Sequence, residues 1–519
     1  ADARLSSPPI PSKVGGTNFT NSLLVGTDST GTLNAAQKNT GVGVGVFAAL
    51  TSGDLNTAVG FDSLKANTTA NQNTAYGACA LNINTTGDCN TAVGKGSLDA
   101  NTTGTRNIAV GGEALGANTT ASFNNALGYK ALCSNTTGAS NIAIGTCSMR
   151  INTTGAYNIA VGDKALCANQ TGIQNTGIGY LSLCTSTASN NTAVGAYSMK
   201  DNTTGSNNVA FGISALKENT EGDNNTAIGN SSLCNNTTGE TNVAVGHSAL
   251  FASTTGSSNV AVGNGAMCTT TTGAGNTAIG ECAMKANTEG TLNVVAGHRA
   301  MCTNTTGSRN VSIGQCSMKL NTTGSCNNAI GQFALCSNTS GLNNQAMGHS
   351  AMAKNTTGCT NVGIGQGALT SNTTANDNTA VGTSAMAANT TGANNTAVGK
   401  SSLDANTTGD YNTAVGFDAL GANTTGEANV AIGNEALCKN TTADNNTAVG
   451  LQSLFTNTTG AGNTAVGNNA LKANTTAAEN TAVGYVALAT NTTGTLNVAV
   501  GRGALQVNTT GGHSVAIGH

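Results

Sequence analysis

A glycine recurs at every seventeenth residue, and this register limits the possible folds more than any other feature of the chain. Gly60, Gly77, Gly94, Gly111, Gly128 and Gly145 open a series that runs to Gly518, with one sixteen-residue step between Gly179 and Gly195. Extended back to Gly26, it marks thirty copies of one short unit. A unit of this length cannot bury a face alone, so it must stack on its neighbours. The period therefore predicts an all-β fold: a parallel β-solenoid, or β-roll, of about thirty 17-residue coils. The unbroken repeat spans residues 22–519 and argues for one long shaft behind a short N-terminal arm, residues 1–21.

Residues 90–106, NTAVGKGSLDANTTGTR, serve as the type unit. Position 1 is Asn, position 3 usually Ala, position 4 Val or Ile and position 5 Gly; position 9 is Leu or Met, and positions 12–15 are typically Asn-Thr-Thr-Gly. The NTAV segment alternates as a short strand does, with Thr91 and Val93 on one face and Ala92 on the other. Gly at position 5 turns the chain through dihedrals barred to other residues. A second short strand is expected around Ser97 and Leu98. The NTTG segment should close the coil, its Asn bonding local backbone and its Gly supplying a positive φ. Dense Gly, Asn and Thr leave no room for a helix plus turns.

In-register stacking sets position 4 on position 4 and position 9 on position 9, which reads as two buried apolar ladders. Position 1 reads as an Asn ladder with amides bonding along the axis and within each turn. The other side of the strand shows only Asn, Ala and Gly. That small-residue stripe suits close approach of a second chain; the alternative is a narrow single-chain core.

Composition excludes several function classes. Charged residues are 8% of the chain and the formal net charge is -3, so no basic face exists for nucleic acid or an anionic membrane. No apolar run approaches the roughly 20 residues that span a bilayer. Trp is absent and aromatics are 3%, which leaves a thin core of small and aliphatic residues. Fifteen cysteines in so polar a chain point to an oxidising, extracellular setting.

The segments SVAIG (residues 514–518), NIAIG (141–145) and NVAVG (242–246), each followed by xxSL or xxAL in units such as KGSLDA, resemble the head repeats of trimeric autotransporter adhesins. They are also similar to related bacterial and phage tail-fibre repeats. The resemblance implies a left-handed parallel β-roll, commonly of three chains side by side, on an extracellular fibre. The unit here is longer by about three residues, in the NTTG turn, and no stalk, barrel or self-cleaving chaperone follows within this sequence.

Eight cysteines occupy position 10 and four occupy position 7, in largely alternating coils. The pairs Cys133/Cys147, Cys268/Cys282 and Cys302/Cys316 repeat one spacing across adjacent coils, and Cys167/Cys184 stack at position 10. These four pairs are the candidate disulfides, with free thiols copied by duplication as the alternative. The turns also spell N-x-T sequons at Asn67, Asn84, Asn101, Asn118, Asn135 and Asn152. On an exposed turn they would form a glycan stripe, although Asn-Thr-Thr-Gly is also good turn chemistry. His247, His298 and His349 recur every third coil, roughly 14 Å apart, too far to share a metal. No catalytic set or phosphate loop stands out, so the chain reads as a non-enzyme without a cofactor.

The last unit stops after SVAIG, and residues 1–21 hold all three prolines, Pro8, Pro9 and Pro11. An open coil end and a pre-extended arm together lead to an expectation of head-to-tail polymerisation. The functional expectation is a self-associating structural subunit of an extracellular filament, or a homotrimer. The alternatives are an adhesin or tail-fibre head that binds surface glycans and, less well matched, an ice-binding solenoid.

Overall fold

The alternating triplet that follows each position-1 residue forms a three-residue strand, and successive strands pair in parallel without slipping register. The computed structural model describes residues 18–26 and 30–519 in full, and residues 12–14 as backbone. The chain divides into two compact units, Ala1–Ser257 and Ser258–His519. In the first, parallel strands run from Leu23–Val25 and Thr40–Val42 through Val243–Val245; Thr91 lies opposite Ile108 and Val93 opposite Val110. In the second, sixteen strands run from Val260–Val262 to Val515–Ile517, with Ile313 opposite Ile330. Each unit is a parallel β-solenoid with a seventeen-residue repeat, and the described residues contain no helix.

Within the expected arm, Ser12–Val14 pairs antiparallel with Leu23–Val25 of the same chain. This segment therefore covers the first edge of its own sheet. Phe19–Thr20 pairs in parallel with Ala36–Gln37 beside it. Pro8, Pro9 and Pro11 lie outside the described residues.

Each coil has one strand, not two. The segment expected to be a second strand is a run of turns, because positions 7 and 9 take left-handed dihedrals: Glu113 has φ 58° and Leu115 φ 51°. Left-handed backbone costs a non-glycine residue roughly 1–2 kcal/mol. Two gains offset that cost. Leu115 is fully buried, and its N–H donates to the Ala131 carbonyl of the next coil at 3.0 Å.

Hydrogen bonds to neighbouring coils run all the way around the unit. Thr91 N–H donates to the Asn107 carbonyl (2.8 Å), Leu98 to Ala114 (3.0 Å), Ala100 to Gly116 (3.0 Å) and Thr102 to Thr119 (2.9 Å). In the opposite direction Gly94 donates to Tyr76 at 2.8 Å and Arg106 to Asp88 at 3.0 Å. The turns are thus as firmly stacked as the strand, which satisfies backbone groups that a surface loop would leave to water.

The core lies on the opposite side of the strand from the one expected. Ala92, Ala109 and Ala261 at position 3 are fully buried, with Leu98, Leu115 and Met301 at position 9 and small residues such as Ala114 and Ser97 at position 8. Position 4 points outward: Ile144, Ile279 and Ile432 are 39–47% exposed. The small-residue stripe is therefore each coil's own interior, not a surface shared with a second chain. The reason is volume. A Cβ at Gly363, another position-3 residue, would lie 3.1 Å from Met352 Cγ and 3.4 Å from the Ala368 carbonyl oxygen. A methyl group fills that gap, whereas most β-branched side chains overfill it. Where Val takes position 3, at Val295, the outward neighbour is Ala296, so the two residue types have exchanged sides.

Two polar ladders complete the interior. At position 1, Asn107 Nδ2 donates to the Ala121 carbonyl at 2.9 Å and to Asn90 Oδ1 at 3.1 Å, while Asn107 N–H also donates to Asn90 Oδ1 at 3.0 Å. That ladder follows the sequence reading. The second, at position 12, goes beyond the local turn chemistry that Asn-Thr-Thr-Gly implies. Asn101 Nδ2 donates to Asn84 Oδ1 at 2.7 Å and to the Gly104 carbonyl at 3.0 Å. The recurrence of Asn at position 12 was the available signal. Gly104 takes no positive φ; a Cβ there would meet the Ala121 carbonyl oxygen at 2.3 Å, so this glycine answers to crowding between coils.

Candidate functional site

Because Ala and Asn turn inward, positions 2 and 4 of every strand face outward. They carry Thr, Val and Ile for the most part, as in Thr277/Ile279, Val311/Ile313 and Val362/Ile364. None of the chain's 20 basic and 23 acidic residues falls on either position of these parallel strands. The result in each unit is a flat, charge-free, β-branched face that repeats with the coil. Exposed apolar surface in one contiguous strip marks an interaction surface far more strongly than scattered apolar residues do.

The sequon asparagines are inside. Asn67, Asn84, Asn101, Asn118, Asn135 and Asn152 are all fully buried, with the amide nitrogens of Asn84, Asn101, Asn118, Asn135 and Asn152 committed to the position-12 ladder. Asn67 donates to the Ala70 carbonyl at 3.2 Å. A glycan on any of these nitrogens is incompatible with the coil, which removes the expected glycan stripe. Only the threonines of the NTTG turn reach the surface, for example Thr103.

All fifteen cysteines are free thiols, including every expected partner: Cys133, Cys147, Cys268, Cys282, Cys302, Cys316, Cys167 and Cys184. Two members of the diagonal pairs are engaged elsewhere. Cys133 Sγ donates to the Arg150 carbonyl at 3.4 Å and Cys302 Sγ to the Lys319 carbonyl at 3.7 Å. For the stacked pair, Cα proximity is not sufficient. A disulfide needs Cβ atoms about 3.8 Å apart, whereas in-register neighbours sit about 4.8 Å apart along the stack.

Thiols and cations alternate along this side of the coils. Position 10 reads Cys133, Arg150, Cys167, Cys184, Lys200 in the first unit and Cys268, Lys285, Cys302, Lys319, Cys336 in the second. Cys282, Lys285, Arg299, Cys302, Thr303 and Lys319 line a shallow depression of about 310 Å³. Burial holds the Cys268, Cys302 and Cys336 thiols above their ordinary range. Cys167 goes the other way. A hydrogen bond from Cys184 and another from the Arg150 guanidinium pull it down to about 6, and Cys184 rises in consequence. At pH 7 Cys167 is then mostly thiolate, while its buried counterparts stay protonated. Brief iodoacetamide labelling at pH 7 is accordingly expected to reach Cys167 before Cys302 or Cys336. Arg150→Ala should slow that reaction several-fold, as read by peptide mapping.

Among the described residues, no group of three His, Cys, Asp or Glu side chains is placed to hold a metal ion. His298 instead lies 3.7 Å from the Glu281 carboxylate. No described helix is long and apolar enough to cross a membrane. No protein-family model matches the chain, and comparison with curated proteins finds no significant match.

Proposed function

We propose that this chain is a structural subunit of an extracellular fibre, in which copies associate side by side through the outward strand face. The observation that carries this reading is the charge-free outward ladder in register with the coil repeat, aliphatic for the most part at position 4 and mixed Thr and Val at position 2. Three residues of strand are about 10 Å long and neighbours lie about 4.8 Å apart, so sixteen strands present about 770 Å². One partner contributes about 800 Å² to a standard stable interface. A second copy matches the face along its full length because it repeats the same outward residues at the same axial spacing. The resemblance to trimeric adhesin heads and tail fibres favours three copies and an exposed, extracellular location.

Ice binding fits less well, since among the described residues no strand carries Thr at both outward positions. Glycan binding by an adhesin-type head is the second reading; it rests on the resemblance alone.

Aspartate at Ile279, Ile313 and Ile364 together is expected to convert an oligomer into a monomer with an unchanged circular dichroism spectrum. Light scattering after size exclusion reads the mass. A wild-type chain that stays monomeric at tens of micromolar would remove this proposal.

A further inference from the structure

Cys167 and Cys184 are the only cysteines at the same position of consecutive coils. Every other pair is offset or separated by an intervening coil. Backbone bonds fix the spacing on both sides of the pair: Leu166 N–H donates to the Ser182 carbonyl at 3.0 Å and Ala168 N–H to the Cys184 carbonyl at 2.8 Å. Two partly buried cysteines therefore occupy adjacent rungs of position 10, with Arg150 at the same position of the coil before.

We infer that Cys167 and Cys184 form a two-coordinate site for a soft monovalent metal ion of the copper(I) or silver(I) class, with Arg150 as the compensating charge. The spacing is the first support. Metal–thiolate bonds of about 2.3 Å on opposite sides of one ion span about 4.6 Å between sulfurs, close to the 4.8 Å coil rise. A direct disulfide would draw the two coils toward each other, whereas a bridging ion matches the coil rise. Softness is the second support, because thiolates select copper(I) over harder cations.

Charge is the third. Binding forms two metal–sulfur bonds, releases the thiol protons to solvent and leaves a complex of net charge -1. Arg150, one rung before Cys167, and Lys164, at position 7 of the Cys167 coil, supply positive charge beside the anionic complex. The second unit supplies an internal control. There Lys285 and Lys319 separate the position-10 thiols of Cys268, Cys302 and Cys336, which puts successive sulfurs two coils apart, about 9.6 Å. One ion cannot bridge them.

The test uses the intact, reduced chain and copper(I), titrated anaerobically against a chromogenic copper(I) chelator. The first equivalent is expected to bind at least tenfold more weakly in Cys184→Ser and in Cys167→Ser, with no change in Cys302→Ser. Arg150→Ala should weaken it several-fold. X-ray absorption of the wild-type chain with one equivalent should show two sulfurs in a linear arrangement, a result that does not depend on any variant folding. Wild-type affinity in Cys184→Ser, three sulfurs around the first ion, or a Cys167–Cys184 disulfide in the native chain would each overturn the assignment.

Discussion

Gly280→Ala is expected to open the second unit locally, at a cost on the order of 3–5 kcal/mol. Gly280 has φ +132°, which L side chains rarely adopt, and a Cβ there would sit 2.6 Å from the Gly297 carbonyl oxygen and 2.8 Å from its carbon. Both obstacles are backbone, so no side chain can swing away. Moving the next coil would also stretch the bond from Gly297 N–H to the Ile279 carbonyl, now 2.8 Å. Stability in a stacked repeat is a sum of coil and interface terms, so the damage should centre on nearby coils. Hydrogen exchange should show lost protection around residues 277–300, with distant coils unchanged. Gly265→Ser is the matched control. Gly265 sits at position 7 with φ +63°, the nearest atom to its Cβ is Cys282 Sγ at 3.8 Å, and other coils place Cys, Lys or Glu there. It should cost only about 1–2 kcal/mol, the strain of a left-handed non-glycine residue without any clash. Equal effects from the two substitutions would refute the crowding argument.

Asn310→Ala should cost about 2–4 kcal/mol by removing one rung of the position-1 ladder. Asn310 Oδ1 accepts from Asn327 N–H at 2.9 Å, and its Nδ2 donates to Asn293 Oδ1 at 3.1 Å and to the Gly324 carbonyl at 2.9 Å. Gly324 keeps a second donor, Asn321 Nδ2 at 3.0 Å, and Asn293 Oδ1 keeps the Asn310 N–H at 2.9 Å. The Asn327 N–H keeps nothing and is buried, so most of the cost falls there. Asn310→Asp adds a pH signature. Its carboxylate would face two acceptor oxygens in the core, which raises its pKa above the unfolded value of about 3.9. A raised pKa means the variant is best off below that value and loses stability as pH rises through the folded pKa. Denaturant unfolding at pH 3.5 and pH 7 should therefore bring Asn310→Asp closer to wild type at the lower pH, whereas the Asn310→Ala deficit should be nearly constant.

The seventeen-residue glycine register was sufficient to specify a stacked parallel solenoid, because no other arrangement buries so short a unit. The Asn ladder at position 1 was equally legible, since identical residues in register must meet. Alternation in the NTAV triplet likewise separates Ala92 from Thr91 and Val93. What alternation cannot state is which face is inside, because exchanging faces preserves the period of two. Residue hydropathy would choose Val93. The closed coil chooses Ala92, because the gap between one strand and the position-9 side chain behind it admits little more than a methyl group. That choice turned the small-residue stripe into the core and the aliphatic ladder into a surface, and it is the basis of the proposed association.

The same dependence on closure governs the sites. Asn67 and its copies look like accessible sequons in any short window, and Leu98 looks like a strand residue. In the coil the asparagines bond inward to their neighbours, and Leu98 adopts φ 51° to reach the core. The cysteine spacings were plain in the sequence, but whether two thiols can bond depends on separations of about one ångström. Local chemistry and periodicity settled the architecture of this chain. Only the closed, stacked coil, through interior volume and the fixed distance between coils, decided which residues face inward, which face solvent and which sulfurs stand side by side.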